Sequence, residues 1–214
     1  MERACVGSLT GIDRVELAYA EALTAMAPER TRFVMLGRAS SRLVTLPHDA
    51  VLRFIDGIRR AWQNGHPLDC RREGLRLLMR AAIAPSARGA SPIYLLVSHR
   101  HLHREAALSA ALRRAGAAFV PLIHDVIPLE FPEYARPGEA ERHLQRMTTV
   151  ARLADGVVAN SPATARALAA YLPDTLPVHV APLGVPPAVA DVPPETSDRA
   201  YSCVSAPSSR ARTT

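Results

Sequence analysis

The residues best suited to chemistry are His124 and Asp125, which follow directly on the apolar run AAFVPLI at 117–123. An imidazole holds or passes a proton near neutral pH, and a neighbouring carboxylate can fix its loop and ring through hydrogen bonds. Ser98 and His99 close a second apolar run, IYLLVSH, which begins at Ile93. Asn160, Ser161 and Thr164 follow a third, GVVA, and read first as the cap of a helix and second as ligand contacts. Gly11 stands just ahead of a helical pattern. There the first amides have no internal partners and a missing side chain permits close approach of an anion, although a plain tight turn explains a single glycine equally well. Glu130 and Glu133 lie in the stretch beyond Asp125, as ligand contacts or as an ordinary exposed acidic loop. His99, His101 and His103 alternate, but if a helix begins at His101 then residues two apart do not share a face, so no metal site is expected.

For such residues to meet, the runs that end in them must be neighbouring parallel strands, because the C-terminal ends of the strands form the cleft of an open α/β sheet. The hydrophobic periods predict strands over 31–36, 93–98, 118–123, 156–159 and 178–181. Helices are predicted from Ile12 with Thr10 as cap, over 50–62, over 71–83, from His101 to a terminal Gly116, from Pro137, and from Pro162 with Ser161 as cap. Positions 37–46 read as polar linker, and Pro128 and Pro132 predict a non-helical loop. The alternation from Ile93 to Ala181 predicts α/β architecture, an open, mostly parallel Rossmann-like sheet with helices on both faces. Met1 to Leu9 supplies only a poor strand, and beyond Asp191 no period persists, so residues 1–187 form the expected domain and 188–214 a linker or disordered tail.

A chain of 214 residues has room for one full core, and 48% hydrophobic with 21% charged residues is the composition of a soluble globular protein. Aromatics at 5% leave that core to aliphatic side chains. No apolar run reaches the ~20 residues of a membrane span and the first residues lack a signal-peptide pattern, so a cytoplasmic location is expected. The cysteines, Cys5, Cys70 and Cys203, have no spacing for zinc or a disulfide framework. The net charge of +6 is carried by arginine alone, for the chain contains no lysine. Codon bias in a GC-rich genome accounts for this; the other reading is that the excess faces an anionic membrane surface or a phosphorylated substrate. Basic residues do not interleave with aromatic ones, so nucleic acid is not an expected partner.

The segments TGIDRVELAYAEAL, PIYLLVSHRHLH, VPLIHDVIPLEFPEYARPGEAERH, ADGVVANSPATARAL and APLGV together resemble the N-terminal domain of retaining glycosyltransferases of family 4, which have the GT-B fold and include bacterial mannosyltransferases of polysaccharide assembly. The resemblance runs over about residues 10–187 and implies one of two Rossmann-like halves. It implies that His124 and Asp125 are the catalytic pair, His124 near the donor sugar and Asp125 as orienter. Gly11, Ser98, His99, Glu130, Glu133, Asn160, Ser161 and Thr164 would line the acceptor and donor cleft. The activity implied is transfer of a hexose, with mannose among the candidates, from a nucleotide-sugar to a glycan or lipid-linked acceptor, without a cofactor and with peripheral contact at the inner face of a membrane. Such enzymes hold the nucleotide-sugar mainly through a C-terminal domain whose motifs this sequence lacks. The stretch from Tyr201 begins like the family's next strand and then loses the pattern, which reads as an interrupted frame. The short chain is therefore expected to be inactive alone, or to serve as a non-catalytic acceptor-binding module or subunit with a separate C-terminal half.

Overall fold

The computed structural model describes residues 10–37, 41–64, 70–81 and 91–184. Helix α1 (Gly11–Met26) starts where the sequence places it, because Thr10 and Asp13 form a reciprocal capping box. The Asp13 amide donates to Thr10 Oγ1 at 3.3 Å and the Thr10 amide to Asp13 Oδ2 at 3.0 Å. Burial of Asp13 works to raise its pKa, but the hydrogen bonds from Thr10 prevail and hold the carboxyl below its ordinary value.

The expected strand at 31–36 is not part of the parallel sheet. Strand β1 (Val34–Leu36) pairs antiparallel with β2 (Leu43–Thr45), Leu36 opposite Leu43, so the stretch read as polar linker holds the second strand of a hairpin. A connection this short dictates the outcome, since a parallel return needs a crossover of roughly a dozen residues. Arg104 and Arg114 fasten the hairpin by donating to the carbonyls of Gly37 (3.2 Å) and Ser41 (2.8 Å).

Helix α2 (His48–Asn64) buries Val51, Phe54, Ile55 and Ile58, a spacing of one apolar helical face. Phe54 and Ile58 pack with Leu17 of α1 and Leu77 of α3 (Cys70–Ala81).

The remaining strands, β3 (Ile93–Leu96), β4 (Ala118–Ile123), β5 (Val157–Ala159) and β6 (Val178–Val180), form a parallel sheet in that order. Helices α4 (Glu105–Ala115), α6 (Glu139–Leu153) and α7 (Pro162–Leu168) form the crossovers. Leu122 and Ile123 point to opposite faces and both are fully buried, so β4 is covered on both sides, as expected for a Rossmann-like sheet flanked by helices.

Pro121 lies inside this central strand, where its missing N–H would ordinarily break a ladder. Phe119, two residues earlier and therefore directed to the same side, exchanges hydrogen bonds with Asp155: its amide donates to Asp155 Oδ2 at 2.8 Å and its carbonyl accepts from the Asp155 amide at 2.9 Å. Strand β5 joins β4 only from Leu122 onward. The proline thus falls where no partner strand asks for its hydrogen.

Beyond shifts of a residue or two, as in α2, three helical stretches depart from the sequence expectation. Helix α4 begins at Glu105 rather than His101, because His101 has φ of 69° and the turn it makes carries Leu102 into the core, where it is fully buried. The stretch after Asp125 is not a helix-free loop. Ile127–Glu130 is a one-turn helix (α5) and Pro132–Tyr134 a 3-10 turn, with Pro128 and Pro132 in first turns, where no N–H is required. Helix α6 begins at Glu139, leaving Pro137 outside, since Gly138 at φ of 74° turns the chain immediately before it. Gly116, at φ of 58°, closes α4 as expected. The domain boundary at 187, residues 1–9 and the tail from 188 lie outside the described residues.

Candidate functional site

The C-terminal ends of β3, β4 and β5 deliver Ser98 with His99, His124 with Asp125, and Asn160 with Ser161. His124 is buried and its Nε2–H donates to the Val97 carbonyl at 2.7 Å. A carbonyl can only accept, so the neutral ring carries its proton on Nε2 and offers Nδ1 as an acceptor. The carbonyl of His124 in turn lies 3.3 Å from Thr164 Oγ1, near the start of α7. Thr164 shares its single hydroxyl hydrogen between that carbonyl and Asn160 Oδ1 at 2.9 Å, with Ser161 Oγ also at 2.9 Å. Ser161 accepts from the Thr164 amide at 3.0 Å, the cap that starts α7 with Pro162 at its first position. The structure bears out the helix-cap reading of Ser161, and the hydroxyl of Thr164 in the same turn also holds the main chain of His124.

Asp125 accepts from the Ile127 amide at 3.2 Å and so shapes the turn into α5, while its carbonyl accepts from Nε2 of His143 at 3.2 Å. Helix α6 places His143 on its inward face with Met147 and Val150, all deeply buried. His99 stands between the other two histidines, its ring 5.4 Å from that of His124 and 5.4 Å from that of His143, both in edge-to-face orientation. Its Nε2 is shut away from solvent with no hydrogen-bond partner among the described residues. Burial, reinforced by the neighbouring histidines and opposed by Glu139, pushes the His99 pKa down to about 3. Burial also lowers His143, against the pull of Asp125. At neutral pH both rings are uncharged. Beside them, Arg146 pairs with Glu139 at 2.9 Å, and hydrogen bonds from Arg142 and then Arg146 hold the Glu139 carboxyl below its usual value, against burial.

The residues brought together are thus Ser98, His99, His124, Asp125, Asn160, Ser161 and Thr164. Gly11 opens α1 with open space around it, and Arg100, adjacent to His99, is near enough for its charge to act on Asp13. Glu130 and Glu133 are exposed on α5 and the following turn, and the hydrogen bonds that knit the cluster do not include them. Sequence reasoning missed His143, Glu139 and Arg146. The signal for His143 was there, a polar residue in step with Met147 and Val150 on the buried face of a helix. The three rings meet edge to face rather than converging through nitrogens, and among the described residues no three His, Cys, Asp or Glu side chains gather as metal ligands would.

An open depression of about 480 Å³ lies at the opposite end of the strands, lined by residues including Ser91, Arg113, Ala118, Arg152 and Asp155. It contains none of the residues just assembled. The C-terminal strand ends, where parallel α/β sheets place their ligands and where polar groups converge, are the candidate site.

This hydrogen-bonding arrangement suits hydroxyl groups better than a phosphate, because His99 and His143 are held neutral, Asp125 brings a carboxyl group and Arg146 is engaged with Glu139. The family model for Glycosyltransferase Family 4 matches residues 58–189, well over half of the chain and all of the assembled cluster, with Gly11 outside it. Comparison with curated proteins and with solved structures gave no match.

Proposed function

From membership of glycosyltransferase family 4, to which this chain belongs, we infer that its cleft binds a sugar donor and a hydroxyl acceptor, with the strand-end cluster at the reacting sugar. The finer reading is transfer of a hexose, mannose among the candidates, from a nucleotide-sugar to a glycan or lipid-linked acceptor, with retention at the anomeric carbon and on the cytoplasmic side of a membrane. The observation that supports it is the clamp on His124: with Nε2 committed to Val97, Nδ1 accepts a hydrogen bond from a sugar hydroxyl. Asp125 orients the turn that follows, and Ser98 and His99 face the acceptor side.

Departure of a nucleoside diphosphate develops negative charge that needs preorganised cationic donors. His99 and His143 are held neutral and Arg146 is engaged with Glu139, so in this reading the diphosphate is held by a second domain, and the strand-end cluster handles hydroxyls. The engagement of Arg146 with Glu139 favours a second reading, an acceptor-binding module that performs no chemistry itself.

Saturation-transfer NMR with methyl hexosides, together with a donor-consumption assay over a panel of nucleotide-hexoses, tests both. A hexoside signal is expected that His124→Ala removes and Glu133→Ala keeps. Unchanged binding by His124→Ala would take that residue out of the site, and turnover of a nucleotide-hexose by the 214-residue chain alone would overturn the placement of the diphosphate on a second domain. If the chain joined to a family C-terminal domain binds hexosides but transfers none, the module reading stands in place of the enzyme.

A further inference from the structure

The turn that leaves Asp125 keeps part of its apolar surface out of the core. Val126 is buried and Leu129 packs on the core, yet Ile127, Phe131 and Tyr134 are 54%, 48% and 83% exposed. Aromatic residues make up only 5% of the chain, and Phe54, Tyr94 and Phe119 lie in the interior. Phe131 and Tyr134 instead stand side by side in solvent, ring centres 6.4 Å apart and planes inclined at 45°. A single exposed apolar residue is ordinary, whereas exposed aromatics grouped together mark a surface that receives something. Their mounting is rigid. The amides of Glu130, Phe131 and Tyr134 donate to the carbonyls of Val126 (3.1 Å), Ile127 (2.8 Å) and Phe131 (3.1 Å), and Pro128 and Pro132 restrict the backbone in the first turn of each piece. The same turn is tied to the histidine cluster, because Asp125 accepts from the Ile127 amide with its side chain and from His143 with its carbonyl. Three residues and one helical turn separate His124 from Phe131, at most about 17 Å of chain, which a short oligosaccharide can span.

We propose that Phe131 and Tyr134 form an accessory sugar platform: a second, neutral pyranose unit of the acceptor stacks on them while the unit at the reacting end lies against the strand-end cluster. The inference rests on the glycosyltransferase reading and narrows it, from any hydroxyl acceptor to one at least two sugars long. A pyranose presents a face of C–H groups, apolar and slightly positive, which matches the negative face of an aromatic ring. Around that face its hydroxyls point outward, and Glu130 and Glu133, exposed on the same turn, are acceptors for them. The two carboxylates also set the class of sugar, since a uronic acid or a phosphorylated unit would meet like charge there. Pre-organisation on a rigid turn lowers the cost of holding a flexible glycan. A second copy of the chain is the poorer fit, because a stable protein interface buries about 1,600 Å² in total, far more than one exposed turn provides.

The test is an NMR titration of the full chain with methyl glycosides of mannose, glucose and galactose, with the corresponding neutral disaccharides, and with a disaccharide that carries glucuronic acid as its second unit. At least one neutral disaccharide should bind about three- to tenfold more tightly than its monosaccharide, the gain expected of an aromatic stacking contact. Tyr134→Ala and Phe131→Ala should each reduce that gain and leave monosaccharide affinity as it is, while Tyr134→Phe should keep the gain, because the ring and not its hydroxyl supplies it. The acidic disaccharide should show no gain until Glu130→Gln/Glu133→Gln removes the opposing charge. Met79→Ala, at an exposed apolar residue on α3, should change nothing, and circular dichroism checks that every variant keeps its helices. Equal affinity for one and two sugars, a gain that survives Tyr134→Ala/Phe131→Ala, or an equal loss of both ligands in that variant overturns the platform. So does a dimer that dissociates in the same variant, by giving the face to a second copy of the chain. The two levels of inference fail separately: a His124-dependent monosaccharide signal without any disaccharide gain removes the platform and spares the strand-end site. A gain that needs Tyr134, with monosaccharide binding indifferent to His124→Ala, supports the platform and removes the site. Binding of no saccharide overturns both.

Discussion

Replacing His99 by phenylalanine should flatten the dependence of stability on pH. The ring sits near a pKa of 3 in the folded chain against 6.5 for an ordinary histidine, so between these values the unfolded chain binds a proton that the folded chain refuses. Stability from this group is therefore fully present above pH 6.5 and is lost as the pH falls. Linkage gives a loss of about 2 kcal/mol between pH 7 and pH 5 from this ring alone, and any folded value below about 4 gives nearly the same figure. With a urea slope of roughly 2 kcal/mol/M for a chain of this size, the midpoint of the wild-type protein should fall by about 1 M more than that of His99→Phe over the same interval. Phenylalanine keeps a ring for the edge-to-face contacts with His124 and His143 and removes the buried Nε2 that has no partner among the described residues. His143, also shifted down, is common to both proteins and cancels in the comparison. Urea melts at pH 7, 6 and 5 with constant slopes are the measurement. Parallel loss of stability in the two proteins would show that His99 does not hold its ring neutral, and the account of a buried neutral histidine at the centre of the cluster would fail with it.

Asp155→Ala should destabilise the fold by about 1–3 kcal/mol in chemical denaturation, because the buried amide of Phe119 loses its acceptor. Ser161→Ala should cost about 1 kcal/mol through loss of the α7 cap and should also weaken hexoside binding, since Thr164 then holds the His124 carbonyl less firmly. Gly116→Ala should cost about 1 kcal/mol through its φ of 58° alone, for an added methyl meets nothing there. Gly11→Ala should leave the melting midpoint almost unchanged, and a loss of ligand binding in that variant would mark Gly11 as a point of close approach.

Much of this structure is legible from local signals, and most of the failures come from demands made elsewhere in the chain. Strands β3, β4 and β5 end in the chemically competent residues where the apolar runs stop, because largely buried parallel strands leave an almost uninterrupted apolar record in the sequence. The capping residues Thr10 and Ser161 and the terminal Gly116 are equally direct, since each satisfies a hydrogen bond or a dihedral angle within a few residues. The β1–β2 hairpin escaped because its direction is set by the length of the connection rather than by composition. The start of α4 escaped because the fold buries Leu102, a tertiary demand that overrides the helical pattern around His101. His143 reaches the site from a helix well beyond Asp125, and no short motif announces a contact made across that distance. The prolines after Asp125 misled by being read as helix breakers when they occupy the positions a short helix accepts.

The bonds that hold the histidines have a genetic consequence. Their acceptors are the main-chain carbonyls of Val97, Asp125 and His124, which every amino acid possesses. Point mutations at position 97 therefore change the side chain and leave the acceptor in place, so the frame tolerates drift in the strand that supports it. Insertion or deletion of one residue in β3 acts differently, turning the carbonyl at that level to the other side of the strand and presenting His124 with the wrong edge. Lineages descended from this chain should accumulate substitutions along β3 freely within the limits of packing, while length changes collect after Asp125, in the α5 turn, where the mouth of the cleft can be rebuilt without moving the frame.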